Sequence, residues 1–386
     1  MISRESKLDY IDAMRGIAIL MVICVHTAQR IPNLSTLVDG LAKYGQMGVQ
    51  LFFVASAYTL CLTFENREKE SSSILKFYVR RFFRIAPLYY LAIVIYYFFG
   101  LVKLRAGGGY GFLVEPYSFE NVLTNLLFVH GFIPSAINSV VPGGWSIGTE
   151  MVFYLFFPLI FFLARYLYKT QGLWALGLLF ISCVGGNISI QLFFVGNTSL
   201  ELANNAFLYF YFVNQLPVFL VGMIAYFYQK ENSQRYELGN KFFGFCFLIF
   251  TSLAMLLWRS GVDLAFAIIP SLSGMSFFCL MIFLEKSSLH NKIFCKIGKV
   301  SFSLYIFHFL FVSGLVSLVN KYLSHFVVPE VIFLIAFFIV FFPVYLVAKF
   351  TERYIEAKGI LMGSRLISRM FSQTQSGNNL RHGERM

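Results

Sequence analysis

Six ionisable side chains lie inside or directly beside long apolar runs of the sequence, where a charge is costly and therefore suggests function. They are Arg15, His26, Arg81, Arg84, Glu150 and His308. An imidazole in such a place can act as a general base or a nucleophile. Guanidinium groups can bind phosphate oxygens, and a carboxylate can orient an imidazole.

Arg15 and His26 are eleven residues apart in the first apolar run. On a helix this spacing is about 16.5 Å along the axis and about 20° past three full turns. Both side chains therefore lie on one face, with a cation near one end and an imidazole deep in the run. The alternatives are a snorkelling arginine and a hydrogen-bonded core histidine. Asp12, three residues before Arg15, can cap the helix or pair with Arg15.

The stretch 77–87 reads FYVRRFFRIAP and precedes the third apolar run. Arg81 and Arg84 are neighbours at i,i+3, and Arg80 and Arg84 are neighbours at i,i+4. Guanidinium groups at this spacing can form a fork for phosphate oxygens. The alternative is that these residues only anchor the helix on the cytoplasmic side.

The stretch 143–158 reads GGWSIGTEMVFYLFFP and opens the fourth apolar run. Trp145 marks a membrane interface, and Glu150 follows inside the run, with Tyr154 one turn deeper on the same face. We expect the Glu150 carboxylate to pair with an arginine, a histidine or a hydroxyl. A purely structural ion pair is the alternative.

The stretch 301–308 reads SFSLYIFH. Tyr305 and His308 share a helix face at i,i+3. This spacing fits two side chains that line one cavity, and it also fits a core histidine satisfied by hydrogen bonds.

The composition requires helices in a lipid bilayer to position these residues. Of 386 residues, 58% are hydrophobic and only 13% are charged, and the mean hydropathy is +0.69. A soluble domain is nearer 25% charged, so a disordered chain, a disulfide scaffold and a cytosolic enzyme are excluded. The net charge of +12 is scattered between apolar runs, which argues against nucleic-acid binding. The six cysteines form no CxxC pair and show no zinc spacing, so we expect no metal site.

Runs of about 17–25 apolar residues predict an all-α polytopic membrane protein with about ten transmembrane helices. The predicted spans are 13–29, 45–63, 82–102, 145–167, 173–194, 205–228, 242–258, 264–284, 300–319 and 329–348. They predict a membrane domain over 1–350 and a basic, disordered cytoplasmic tail over 351–386. The apolar stretch 119–132 is short and suits an interfacial or re-entrant helix.

The distribution of basic residues predicts that both termini are cytoplasmic. With ten spans, this orientation places 24 of the 31 Lys and Arg residues on the cytoplasmic side and six on the other side. Arg15 lies within the first span. Cytoplasmic loops of membrane proteins carry an excess of Lys and Arg, and this distribution agrees with that rule.

Taken together, these motifs resemble the acyltransferase-3 family of integral membrane O-acyltransferases. The stretches that resemble the family's motifs occur in its order: IDAMRGIAILMVICVH (11–26), LFFVASAY (51–58), RRFFRIAP (80–87), GWSIGTEMVFYLFFP (144–158) and SFSLYIFHF (301–309). The chain departs from the family's usual residues at Ala57, Gly148, Phe302 and Phe307. All six ionisable residues named above are retained.

The resemblance implies transfer of an acyl group, commonly acetyl from acetyl-CoA, to a hydroxyl of a surface polysaccharide such as O-antigen or exopolysaccharide, or to its lipid-linked precursor. It implies His26 and Glu150 as catalytic residues, with Arg15, Arg81 and Arg84 binding the donor. The expected substrate cavity is lined by Tyr154, Tyr305, His308, Trp145 and Ser146. Acyl-CoA is expected as a co-substrate, with no tightly bound cofactor and no metal. Some relatives carry an appended esterase-like domain, which we do not expect in this chain.

In this mechanism His26 serves as a general base or as a transient acyl carrier, and Glu150 orients it or stabilises its charged form. The alternative from another class is a transporter or flippase for a lipid-linked saccharide or an anionic solute. A third alternative is a membrane protein that only binds a partner and catalyses no reaction. The buried charges argue against it, because such a protein would not need them. We expect a multi-pass protein of the bacterial plasma (inner) membrane that contacts the lipid bilayer, an acyl-CoA and a saccharide acceptor, and no nucleic acid.

Overall fold

The computed structural model describes residues 9–105, 116–197, 206–232, 240–262, 264–287 and 292–383. Within these ranges the regular structure is helical, as the composition predicts. The α-helices are α1 (Asp9–Ala28), α2 (Thr36–Tyr44), α3 (Gly48–Glu65), α4 (Ser73–Arg105), α5 (Phe119–Leu126), α6 (Gly144–Gln171), α7 (Leu173–Asn197), α8 (Ala206–Phe210), α9 (Phe212–Asn232), α10 (Asn240–Ser260), α11 (Ala265–Lys286), α12 (Lys292–Lys299), α13 (Ser301–Phe311), α14 (Ser317–Leu323), α15 (Pro329–Thr351) and α16 (Ala357–Gly383). Short 3₁₀ turns at Gly45–Met47 and His130–Phe132, and π-helical turns at Val312–Val316 and Glu352–Glu356, join some of them.

Ten helical segments in the described ranges are long and apolar enough to cross a membrane. They are Asp9–Ala28, Thr36–Glu65, Ser73–Arg105, Gly144–Gln171, Leu173–Phe194, Ala206–Asn232, Lys241–Ser260, Ala265–Glu285, Ser301–Leu323 and Pro329–Phe371. Each overlaps one span predicted from the sequence, so the prediction of ten spans is confirmed. The protein is a multi-pass helical membrane protein. The sidedness of its termini stays a prediction.

The apolar stretch 119–132 forms α5 and a 3₁₀ turn, and it packs against the first residues of α6. His130, in the 3₁₀ turn, is fully buried, and its Nε2 lies 3.0 Å from the carbonyl oxygen of Gly144. Its ring stacks on Tyr89 of α4 with centroids 5.9 Å apart. Burial lowers the pKa of His130, so the ring stays neutral and acts as a hydrogen-bonded wedge between α4 and α6.

The C-terminal stretch differs from the disordered tail that the sequence predicts, because α15 continues through the π-helical turn into α16. Gly359 and Gly363 of α16 face Phe83 of α4. A Cβ on Gly359 would lie 2.6 Å from the Phe83 carbonyl oxygen. Glycines four residues apart share a helix face, so the two backbones can approach closely enough to order the helix.

The loop between α3 and α4 is tied down by ion pairs. Arg165 of α6 donates hydrogen bonds of 2.5 and 2.8 Å to Glu68. These bonds hold the pKa of the Glu68 carboxyl below its ordinary value. Arg80 donates a 2.6 Å hydrogen bond to Glu70 and is thereby held at the loop.

Two glycines allow α12 to cross α1 in direct backbone contact. A Cβ on Gly16 would overlap the carbonyl oxygen of Phe294, and a Cβ on Gly298 would overlap the carbonyl oxygen of Asp12. This crossing brings the first turns of α1, with Asp12 and Arg15, beside Lys299 at the end of α12.

We expect Gly298→Ala to destabilise the protein by about 3 kcal/mol or more, because a backbone oxygen cannot move aside as a side chain can. The measurement is thermal unfolding of the detergent-solubilised protein. Gly177→Ala is the matched control, since nothing lies within 4 Å of a Cβ there. That variant should be as stable as the wild type or more stable. Equal melting temperatures for the two variants would contradict the proposed crossing.

Candidate functional site

A cavity of about 290 Å³ lies within the helix bundle. Its walls come from α1, α3, α4, α6, α12 and α13, with one residue from the π-helical turn at Glu352–Glu356. Seven of the residues that the sequence predicts for the site line it: Arg15, Arg81, Arg84, Ser146, Glu150, Tyr154 and Tyr305. Side chains that are up to 290 positions apart in the chain therefore share one space.

The three arginines have few partners of their own. Arg15 lies 3.3 Å from the Asp12 carboxylate and donates a 3.1 Å hydrogen bond to Thr59. Arg81 donates a 3.1 Å hydrogen bond to Thr63, and its buried Nε has no partner. Within the described ranges, Arg84 forms no hydrogen bond and no ion pair.

The cavity is consequently suited to an anion. Lys299 adds a fourth cation to the wall, and Asp12 is the one carboxylate of the described residues within 4 Å of any of the four. A guanidinium group in a poorly solvated place is stabilised by forked contacts with phosphate or carboxylate oxygens. The geometry thus leaves donor groups on Arg81 and Arg84 available to a ligand.

Glu150 forms hydrogen bonds with hydroxyls, one of the partner types that the sequence predicts. Ser56 donates a 2.5 Å hydrogen bond to its Oε1, and Tyr154 donates one of 2.6 Å to the same atom. The expected direct contact between Glu150 and His26 does not form in the described structure. Ser56 and Tyr154 hold the carboxylate in the cavity wall among the arginines, whereas His26 lies near the other end of α1.

His26 and His308 lie side by side beyond the cavity lining, with ring centroids 5.3 Å apart. His308 is fully buried, and its Nδ1 lies 2.7 Å from the carbonyl oxygen of Tyr305. A carbonyl only accepts, so Nδ1 carries the proton and Nε2 presents a lone pair. That Nε2 is buried and has no partner. His26 Nδ1 lies 2.9 Å from Gln29 Oε1, which favours the same tautomer.

Tyr305 connects the cavity to the histidine pair. Its hydroxyl lies 2.8 Å from Ser146 Oγ and donates a 2.9 Å hydrogen bond to the Gly143 carbonyl. Its ring centroid is 5.8 Å from that of His308. The part of the cavity lined by Ser146 and Tyr305, its inner end, is therefore about one helical turn from a neutral imidazole with a free lone pair.

Three predicted site residues do not line the cavity: His26, His308 and Trp145. Trp145 instead stacks on Phe210 with centroids 4.4 Å apart and packs edge-on against Phe53. It anchors the first turn of α6 to α8 and α3, which positions the neighbouring Ser146. The two histidines stay candidates for the chemistry because of their place behind Tyr305.

Among the cavity residues that sequence reasoning missed are the polar side chains of Ser56, Thr59, Lys299 and Glu356. Ser56 and Thr59 are small hydroxyls on an apolar helix and give little signal before their partners are known. Lys299 lies two residues before the start of the stretch 301–308, which is a usable signal. Within the described ranges, no cluster of His, Cys, Asp and Glu could hold a metal ion.

Comparisons with known proteins bear on this arrangement. Residues 8–349 match the family described as Acyltransferase domain. ORF330 of Acidianus two-tailed virus is 26% identical over 310 residues, which are 78% of this chain and 82% of that protein. O-acetyltransferase OatA of Staphylococcus aureus is 23% identical over 371 residues, 90% of this chain and 57% of that protein. Peptidoglycan O-acetyltransferase OatA of Listeria monocytogenes is 28% identical over 157 residues, 38% of this chain and 23% of that protein.

The chain thus spans only part of the length of the two OatA proteins. No solved structure matches it. The family match extends from before α1 nearly to the end of α15, so it includes the histidine pair and every cavity residue except Glu356. The chain therefore belongs to the acyltransferase-3 family, the family that its sequence motifs resemble.

Proposed function

We propose that this membrane acyltransferase takes an acyl group, acetyl in the simplest case, from acyl-CoA and transfers it to a hydroxyl of a saccharide. The observation that carries the proposal is the cavity with Arg81 and Arg84, whose donor groups lack acidic partners. CoA carries several phosphate charges at one end and an acyl thioester at the other. Arg81, Arg84 and Lys299 form the cationic mouth of the cavity, and the inner end at Ser146 and Tyr305 carries no cation, which matches that distribution.

The phosphates would bind Arg81 and Arg84, with Lys299 beside them and Arg15 further along α1. The uncharged arm would extend toward Ser146 and Tyr305, where no cation lines the wall. Glu150 would keep the arginines in place through its negative charge rather than by touching His26. This arrangement would deliver the thioester to the end of the cavity next to His308.

The transfer step needs a base for the acceptor hydroxyl. The acceptor oxygen would attack the thioester carbonyl carbon as its proton passes to the imidazole Nε2. The carbon–sulfur bond would then break, and the CoA thiolate would leave and take up the proton. His26 and His308 both suit this role, because each presents Nε2 as an acceptor. A transient acyl group on His26 is the other chemical route.

A cell-surface saccharide is the acceptor class that the relatives favour. The name of the Listeria relative gives peptidoglycan as what it modifies. Relatives in Listeria and Staphylococcus also support the bacterial plasma membrane as the location. Membership of an acyltransferase family argues against the transporter or flippase alternative.

We expect Arg81→Gln to raise the KM for acetyl-CoA about ten- to a hundredfold and to change kcat much less. A hydrogen bond to a charged group contributes about 1.5–3 kcal/mol, which corresponds to that range. Arg80→Gln is the matched control, because Arg80 is held by Glu70 and does not line the cavity. The measurement is steady-state kinetics of the purified protein. An equal effect of both variants would remove Arg81 from the donor site.

We expect His26→Ala and His308→Ala each to lower kcat at least about a hundredfold, since a positioned base contributes about 10² to 10⁴ in rate. Donor binding should persist in both variants, because neither histidine lines the cavity. His325→Ala is the control, as His325 is an exposed histidine between α14 and α15. The assay follows release of free CoA in the presence of a saccharide acceptor. Full turnover in both single variants would rule out an imidazole base.

A further inference from the structure

Glu356 is a buried carboxylate that enters the cavity from outside the family-matched part of the chain. It lies seven residues beyond the matched range and ends the π-helical turn Glu352–Glu356. Only 9% of its surface is exposed, and it lines the same cavity as Arg84 and Tyr305. π-helical turns are rare, and they occur frequently at functional sites.

Two hydroxyls hold this carboxylate in a fixed position. Ser303 of α13 donates a hydrogen bond to Glu356 Oε1, and Thr351 of α15 donates one of 2.8 Å to Ser303. Oε1 is therefore occupied. Oε2 accepts no hydrogen bond from the described residues, so it is available to a group inside the cavity.

The position of Ser303 gives the depth of the carboxylate. Ser303 lies midway between Ser301 and Tyr305 on α13, about 3 Å along the axis from each. Ser301 and the neighbouring Lys299 are at the cationic mouth, and Tyr305 is at the inner end. Glu356 therefore lies between the part of the cavity that suits phosphate and the part that suits the thioester.

We infer that Glu356 is a further donor-binding residue, whose Oε2 accepts a hydrogen bond from an amide N–H of the donor's pantetheine arm. The inference rests on the proposed function. An ionised carboxylate is negatively charged, so it repels phosphates. It also only accepts hydrogen bonds, so it finds no donor on a thioester. The arm between them carries two amide N–H groups, which is the chemistry that this depth requires. Glu356 thus fixes how far the arm extends toward Tyr305.

The experiment measures the KM of two donors, acetyl-CoA and S-acetylpantetheine, with the full-length purified protein. S-acetylpantetheine has the amides but no phosphates. Glu356→Leu removes the acceptor and the charge, whereas Glu356→Gln removes the charge and keeps an acceptor oxygen. Glu352→Leu is the matched control, because Glu352 begins the same π-helical turn and does not line the cavity.

We expect Glu356→Leu to raise the KM of both donors about tenfold, Glu356→Gln to raise both less, and Glu352→Leu to leave both unchanged. The opposite result is that both Glu356 variants lower the KM for acetyl-CoA equally and leave that for S-acetylpantetheine unchanged. It would show that Glu356 only repels phosphate and would overturn the inference. An unchanged KM for both donors would also overturn it.

Two further measurements keep the test decisive. If Glu356→Leu fails to fold, Ser303→Ala frees Oε1 and loosens the carboxylate, and it should raise the KM of both donors in the same way. Unchanged values in that variant would contradict the inference. If the wild-type protein transfers an acetyl group from neither donor, the proposed function fails; if only the variants behave unexpectedly, the assignment of Glu356 alone fails.

Discussion

Placing guanidinium groups among apolar helices costs free energy unless their charge and hydrogen-bond donors are satisfied. In this protein, hydrogen bonds and ion pairs with neighbouring side chains offset only part of that cost. Arg15 pairs with the Asp12 carboxylate and donates a hydrogen bond to Thr59, and one nitrogen of Arg81 donates a hydrogen bond to Thr63. The remaining donors face a cavity, so the stability of this region and its affinity for an anion depend on the same unsatisfied groups.

The packing of the bundle keeps that cavity open. Gly16 and Gly298 let α12 cross α1 in backbone contact, which brings Lys299 to the cavity wall. On another side, His130 fills the space beside Gly148. A Cβ there would lie 2.7 Å from the imidazole Nε2. Gly148 departs from the family's usual residue, and the departure is explained by this buried imidazole.

The sequence predicts what depends on local periodicity and on the cost of transfer into a bilayer. Ten spans, the shared face of Glu150 and Tyr154, and the short segment 119–132 follow from those rules, and the structure contains them. Contacts between helices cannot be predicted in this way. A helical pattern shows on which face a residue lies, but it does not show which helix packs against that face. Ser56 as the partner of Glu150 is therefore visible only in the structure. The sequence places Glu356 in a polar tail, because the π-helical turn that directs it inward has no sequence signature.

The two ends of the site have opposite requirements, and the protein separates them along α13. Phosphate binding needs cations whose hydrogen-bond donors are unoccupied, while an imidazole base needs a neutral ring with an unoccupied nitrogen. Lys299 stands just before the first turn of α13, and His308 stands in its last turns. Tyr305, between them, bonds to α6 through its hydroxyl and to His308 through its carbonyl. In the proposed function, a donor bound by the arginines would meet Tyr305 before either histidine, which would leave the far side of the histidine pair to the acceptor.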